Sequence, residues 1–316
     1  MTAEPFVVEV ERSGLVESTH LVDVAVTDAA GTTTAFAGDL ATIAYLRSSV
    51  KPAQALACLE NGWEPPGVDQ IAIACASHNG EPEHVLAARS TLAAAGVDES
   101  ALRCPPAWPF RVEDAARARV PEAIFHNCSG KHAAMLATAE ANGWPADDYR
   151  AADHPMQRAV SAVVERIVGR PARHVGVDGC GVPTFAFALS EAAALLAVLD
   201  RTAPAVLDAM AAKPFLVAGT ERLCTGVMSA TPNVVLKIGA EGLACGTVRS
   251  EGIGFALKSR DGNPRGRGVA VVALLQMLGA IDATVAESLD ATVAAPVAGG
   301  GRPVGRARCR GELHRA

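Results

Sequence analysis

"NVVLKIGAEGLACGTVRSEGIGFALKSRDG", Asn233 to Gly262, decides the fold. Three short apolar runs, "VVLKI", "LACGTV" and "GFALKS", are separated by the turn-forming stretches "GAEG" and "RSEG". Runs of that length between glycine-bearing turns read as successive β-strands. The first forty residues carry the same signal in "FVVEVE" (6–11), "HLVDVAV" (20–26) and "TTTAFAG" (32–38). Between these two regions the pattern is helical. Helices are expected from about Ser48 to Gly62, from Glu81 to Gly96, from Ser129 to Gly143 and from His154 to Gly169, with two alanine-rich helices around 189–200 and 203–212. Ile71–Cys75 reads as a short apolar strand running into a polar loop, and "HVGVDGCGVP" (174–183) as a strand turning into a glycine-rich loop. Strands at both ends and helices between them predict an α+β fold whose terminal strands share one antiparallel sheet. A single domain is expected over 1–285, with a helical lobe at roughly 60–215. The Gly- and Arg-rich tail, 286–316, is expected to be loose, with at most a short docked strand.

Composition narrows the class. Of 316 residues, 50% are hydrophobic and 20% charged, enough for a sizeable core. The net charge of −6, with no long basic run, argues against a nucleic-acid partner. The longest apolar helical pattern, "GVAVVALLQMLGAI" (268–281), is too short to span a bilayer and predicts a buried helix, so no membrane partner is expected. The N-terminal stretch has no basic segment followed by an apolar core, and the eight cysteines follow no disulfide spacing. A cytoplasmic protein with reduced thiols is the expectation. Only five of the 28 basic residues are lysines: 51, 131, 213, 237 and 258. Arginine keeps its proton in a protein, whereas a buried lysine can lose it. Each lysine is therefore worth weighing for amine chemistry.

The segment "AYLRSSVKPAQAL" (44–56) places Ser48 three residues before Lys51 at a helix start. Residues three apart share a helix face, and a lysine of lowered pKa can take a serine proton. The spacing alone also arises by coincidence. Its order relative to "SHN" (Ser77, His78, Asn79) and to Lys258–Ser259 at a strand end adds weight. That order, Ser-x-x-Lys, then Ser-x-Asn, then Lys-Ser, is the motif order of penicillin-binding proteins and serine β-lactamases. The third element lacks the usual glycine. The bland alternatives are a capping Ser77 and a solvated Lys258.

A second constellation is "HNCSGKH" (126–132), where Cys128 and Lys131 repeat the three-residue spacing. "VDGCGVP" adds Cys180 beside Asp178. Two thiols, histidines and an aspartate suit zinc, although lysine must be neutral to ligate. On these residues alone, two buried structural cysteines and a capped helix explain the pattern more simply, and a Cys128 nucleophile with His126 or His132 as base is a third reading.

With "ERSGLVESTH", "RSSVKP", "ASHNGEPEH", "HNCSGKHAAML", "DGCGVPTFA", "VAGTER", "GAEG" and "GIGFALKSRDG" in order over about residues 10–280, the chain resembles the Rhizobium-type L-asparaginases, the class 3 or asparaginase II family. The resemblance implies a fold like that of serine β-lactamases, penicillin-binding proteins and glutaminases, and a homodimer. It implies an amidohydrolase that converts L-asparagine to L-aspartate and ammonia. It places catalysis on Ser48, Lys51, Ser77 and Lys258, and zinc on Cys128, Lys131 and Cys180, with Asp178 beside the metal. Ser48 is the expected nucleophile, forming an acyl-enzyme with Lys51 as base, and Ser77 is the runner-up. Arg47, His78, Asn79, Asp178 and His132 are candidate substrate contacts. The alternatives are a glutaminase or other serine hydrolase on the same scaffold, and a non-catalytic zinc or amino-acid binding protein.

Overall fold

The computed structural model describes residues 1–293 and 296–316, and the chain divides into two compact units. The first comprises Met1–Ser49, Ala186–Arg201 and Glu221–Ala316, and the second Val50–Phe185 and Thr202–Thr220. The strands are β1 (Phe6–Arg12), β2 (Leu15–Thr27), β3 (Thr33–Ala37), β4 (Ile43–Tyr45), β5 (His174–Val177), β6 (Pro183–Ala188), β7 (Val234–Ile238), β8 (Leu243–Val248), β9 (Ile253–Ser259), β10 (Val297–Gly299), β11 (Arg302–Arg310) and β12 (His314–Arg315). The helices are α1 (Lys51–Glu60), α2 (Val68–Ala74), α3 (Pro82–Ala94), α4 (Val112–Arg117), α5 (Ser129–Ala141), α6 (Pro155–Val168), α7 (Leu189–Thr202), α8 (Pro204–Ala212), α9 (Pro214–Val217), α10 (Leu223–Ala230), α11 (Pro264–Met277) and α12 (Ala283–Val293).

The first unit is built on an antiparallel sheet in the order β10-β11-β1-β2-β9-β8-β7, with β3 beside β2 and β12 beside β3. Strands from both ends of the chain do share one sheet, and the fold is mixed α+β as expected. β2 is the long member. It pairs with β1 along its first part and with β9 from Val22 to Thr27, so Asp23 faces Lys258 across the ladder. Along β1, Phe6, Val8 and Val10 are fully buried while Val7, Glu9 and Glu11 are half-exposed. A one-residue slip would turn all three apolar side chains outward, at about 1.5–3 kcal/mol each, and this pins the register. On β7 and β8 every residue is buried. α11 covers the sheet with Ala270, Val271, Leu274 and Leu275, all wholly buried. Phe255 lies over its cross-strand partner Gly246, where any side chain would collide with the ring.

The tail differs from the expectation of a loose segment. β11 is nine residues long and pairs with β1 from Val7–Arg310 to Arg12–Gly305. Its Arg306, Arg308 and Arg310 are exposed, while Gly305, Ala307 and Cys309 are half-buried. This is an alternating strand pattern written in arginine and small residues, which composition alone reads as a loop.

In the second unit α5 is the central element, buried at every position from Ser129 to Ala139. Its alanines keep the helix slim, so that α1, α2, α3 and α6 all pack close to it. α6 buries Met156, Val160, Val163, Val164 and Ile167 on one face, as its periodicity predicts. Ile71–Cys75 does not form the expected strand. It lies at the end of α2, with the Cys75 N–H donating to the carbonyls of Ile71 and Ala72. A five-residue apolar run has no period of its own, and helix packing on nearly all sides of α2 decided its conformation. The close crossing of α2 and α5 requires Gly130, where a Cβ would collide with the Ile73 carbonyl oxygen. Gly130→Ala is expected to cost about 1–3 kcal/mol through forced backbone movement, read as a lowered urea midpoint.

Candidate active site

Lys51 is the first residue of α1 and is wholly buried. Its Nζ donates to the Ala76 carbonyl and, at 3.1 Å, to the Asn127 carbonyl, and lies 3.0 Å from Ser77 Oγ. Carbonyls only accept, so two of the amine hydrogens are committed to them. The third direction faces a hydroxyl, which accepts from an ammonium but donates to a neutral amine. Burial lowers the Lys51 pKa, Lys131 adds to the effect, and the thiols of Cys128 and Cys180 oppose it. Ser77 follows the turn that ends α2, its N–H held by the Val217 carbonyl at 2.9 Å.

Beside this amine lies the thiol cluster. Cys128 stands at the N-cap of α5 and Lys131 in its first turn, both buried. The Cys128 thiol donates to Asn127 Oδ1 at 3.1 Å. The neighbouring Cys180 sulfur and burial raise the pKa of Cys128, whereas Cys128, Lys131 and His132 lower that of Cys180. Burial would lower the pKa of Lys131, but Cys180, Cys128 and Asp178 together raise it, so the group is an ammonium here. Asp178 Oδ2 is 3.9 Å from Lys131 Nζ and 3.8 Å from Cys180 Sγ. His132 is buried, with Nδ1 2.6 Å from Tyr149 Oη, which itself accepts from the Arg103 N–H at 3.0 Å. The hydroxyl thus joins the Arg103 backbone to the His132 ring. Nε2 has no aligned partner, and the Cys180 sulfur is its electrostatic neighbour. Two neighbouring thiols suit a soft cation, but among the described residues no group of three or more His, Cys, Asp or Glu side chains is placed to hold a metal. A third donor would have to be Lys131 after losing its proton.

Other expected site residues are placed differently. His78 Nδ1 accepts from the Gly80 N–H at 3.1 Å, Nε2 lies 3.0 Å from Ser129 Oγ, and the ring stacks on His84. Asn79 Nδ2 donates to Glu81 Oε1 and to the Thr220 carbonyl, both at 3.0 Å. These hydrogen bonds tie both side chains to the framework of the second unit. Neither His126 nor His132 hydrogen-bonds the Cys128 sulfur. His126 Nδ1 takes the Cys128 N–H, and burial followed by Lys51 pushes its pKa down to about 4. A Cys128–His nucleophile pair is therefore absent among the described residues. Asn127 and Tyr149 were missed by sequence reasoning. Asn127 sits inside "HNCSGKH", where only the flanking histidines, thiol and lysine drew notice; Tyr149 has no motif around it.

Arg47, Ser48 and Lys258 belong to the first unit. Arg47–Val50 forms a single 3₁₀ turn that leads into α1, and Arg47 has φ 48°, a conformation uncommon outside glycine. Ser48 is half-buried. Lys258 Nζ donates to the Ser259 carbonyl, and burial lowers its pKa against the pull of Glu241, Asp261 and Asp23. Asp261 accepts from Ser259 Oγ and lies against His20 Nδ1, both at 2.6 Å. Burial would raise the Asp261 pKa, but Ser259, the Asn263 N–H and His20 bring it down to about 2.

A profile of the L-asparaginase II family matches residues 8–309. No curated protein matches the chain. Among solved structures, Mglu in its native form is 13% identical with a TM-score of 0.46, over 82% of this chain and 65% of its own. The chain thus spans 65% of that protein's length. A β-lactamase from Mycobacterium bovis is 13% identical with a TM-score of 0.34, over 86% of this chain and 95% of its own. No helix among the described residues is long and apolar enough to cross a membrane.

Two outcomes test the geometry. Tyr149→Phe leaves the Arg103 N–H and His132 Nδ1 buried without the hydroxyl, and is expected to cost about 1–3 kcal/mol in urea unfolding. Because the Asp261 pKa is depressed on folding, its contribution is complete above about pH 4 and disappears as pH falls through about 2. Asp261→Asn is expected to remove that part of the acid-side slope in urea midpoints measured between pH 5 and 2.

Proposed function

The chain belongs to the L-asparaginase II family, and from that membership we propose that it is a Rhizobium-type amidohydrolase that cleaves the side-chain amide of L-asparagine to L-aspartate and ammonia. The observation that carries the chemical part is the buried Lys51 amine, with carbonyls on two sides and the Ser77 hydroxyl at 3.0 Å. A lysine out of water, with its pKa lowered, is better suited to accept a proton from a hydroxyl than a solvated lysine is.

In this reading Ser48 Oγ attacks the amide carbon and its proton passes to Lys51. The tetrahedral adduct expels ammonia and leaves an acyl-enzyme, which water hydrolyses to aspartate. Ser77 and Lys258 form the second Ser/Lys set, which moves protons or tunes Lys51. A second reading, with Ser77 acylated, is favoured by its hydrogen bond to Lys51. Arg47, His78, Asn79, Asp178 and His132 are the substrate contacts in this reading. Zinc would be held by Cys128 and Cys180, with a deprotonated Lys131 as third donor and Asp178 alongside. When bound, it supplies positive charge that aids substrate binding. The homodimer and the cytoplasmic location implied at the outset belong to the same proposal.

Ammonia release from L-asparagine and from L-glutamine, with zinc measured on the same sample, tests the substrate. Asparagine is expected to be preferred; release from glutamine alone would transfer the reading to a glutaminase, and zinc without release from either would favour a binding protein. Ser48→Ala is expected to lower kcat at least about a thousandfold. Full activity in Ser48→Ala, with loss of the acyl adduct by mass spectrometry in Ser77→Ala, would move the nucleophile to Ser77.

A further inference from the structure

After the buried Leu46 the chain makes one 3₁₀ turn, Arg47–Val50, that carries Ser48. A single turn has too few hydrogen bonds of its own to keep a fixed shape. Its first residue, Arg47, stands at φ 48°, in the left-handed region that a side chain disfavours. Such a conformation persists only where the surrounding structure enforces it.

The enforcing contacts run through Ser49. Ser49 is wholly buried, while Ser48 is half-buried. The Ser49 N–H donates to the Leu46 carbonyl at 2.9 Å, which closes the turn, and its Oγ donates to the Lys237 carbonyl of β7 at 2.8 Å. That strand is a firm anchor, buried at every position and paired with β8 from Val234 to Ile238. Just past its end, Gly239 abuts the same turn. A Cβ there would stand 2.9 Å from the Leu46 carbonyl oxygen and 3.2 Å from Ser49 Oγ, so a side chain at this position would push the turn away. Gly239 is itself fixed on both sides. Its N–H donates to the Leu243 carbonyl at 2.9 Å, and its carbonyl accepts from Nη1 of the buried Arg267 at 3.0 Å.

We propose that Ser49 is the positioning residue for Ser48: it locks the turn onto β7 and Gly239, and so fixes the place of the neighbouring hydroxyl. The proposal rests on the reading of Ser48 as nucleophile. The two adjacent serines of "RSSVKP" then divide the work, one exposed enough to react and one buried to hold it. Attack requires the oxygen to be held within about half an ångström of its productive place, so a turn released from β7 loses rate rather than substrate affinity.

Labelling of the full chain with a small fluorophosphonate tests this. A nucleophilic serine oxygen bonds to its phosphorus and fluoride leaves, and peptide mass spectrometry locates the modified residue. In the unsubstituted chain the label is expected on Ser48. Ser49→Ala is expected to lower the rate constant of labelling about tenfold or more, while the labelled fraction still reaches completion. A misfolded fraction lowers the endpoint instead, so general damage to the fold is told apart. The kcat for ammonia release from asparagine is expected to fall in parallel, with KM little changed. Gly239→Ala, which presses on the turn from the β7 side, is expected to act in the same direction. An unchanged rate constant in Ser49→Ala overturns the proposal; where that variant does not fold, an unchanged rate constant in Gly239→Ala does. Labelling of the unsubstituted chain on Ser77, or on neither serine, overturns the Ser48 reading and the positioning role with it. Labelling on Ser48 without ammonia release from asparagine removes only the substrate, and the rate constants still decide the role of Ser49.

Discussion

The second unit is organised around an amine that has been taken out of water. Lys51 opens α1, Ala76 and Ser77 follow α2, and Asn127 precedes α5. One ammonium-sized group joins all three through its hydrogen bonds. Without those acceptors, burying the amine would cost several kcal/mol. The close packing of α2 on α5 at Gly130 holds two of these segments in place, so the packing and the chemistry depend on the same crossing.

The charges around this amine are unequal in a useful way. Lys51 and Lys131 are both buried, yet their pKa values move in opposite directions. Lys131 lies among Cys180, Cys128 and Asp178, which favour its charge. For Lys51 the same two thiols also favour the charge, but burial outweighs them. Two chemically identical side chains are thus given different protonation tendencies by their neighbours, and the protein holds one cation and one prospective base within a single cluster.

Much of this was legible in the sequence. Long periodic segments such as α3, α5, α6 and β7–β9 announced themselves, because each buries one face or lies between clear turns. α2 was misread because five apolar residues carry no usable period, and β11 because its alternation runs between arginine and small residues rather than between polar and large apolar ones. At the site, residue types and their order pointed to Lys51, Ser77, Cys128, Lys131 and Cys180. Roles played by backbone carbonyls, as at Ala76 and Asn127, leave no mark in side-chain identity.

The pairing of β1 with β11 has a consequence for how the chain is made. β1 occupies residues 6–12, and its partner on one side is about 300 residues further along. During synthesis β1 and β2 emerge early, but one edge of β1 keeps its N–H and C=O groups unpaired until β11 has left the ribosome. By then the residues of the helical unit have long been available to fold. The first sheet to be started is therefore the last to be finished, and its waiting edge is where a truncated or stalled chain would pair with a neighbour.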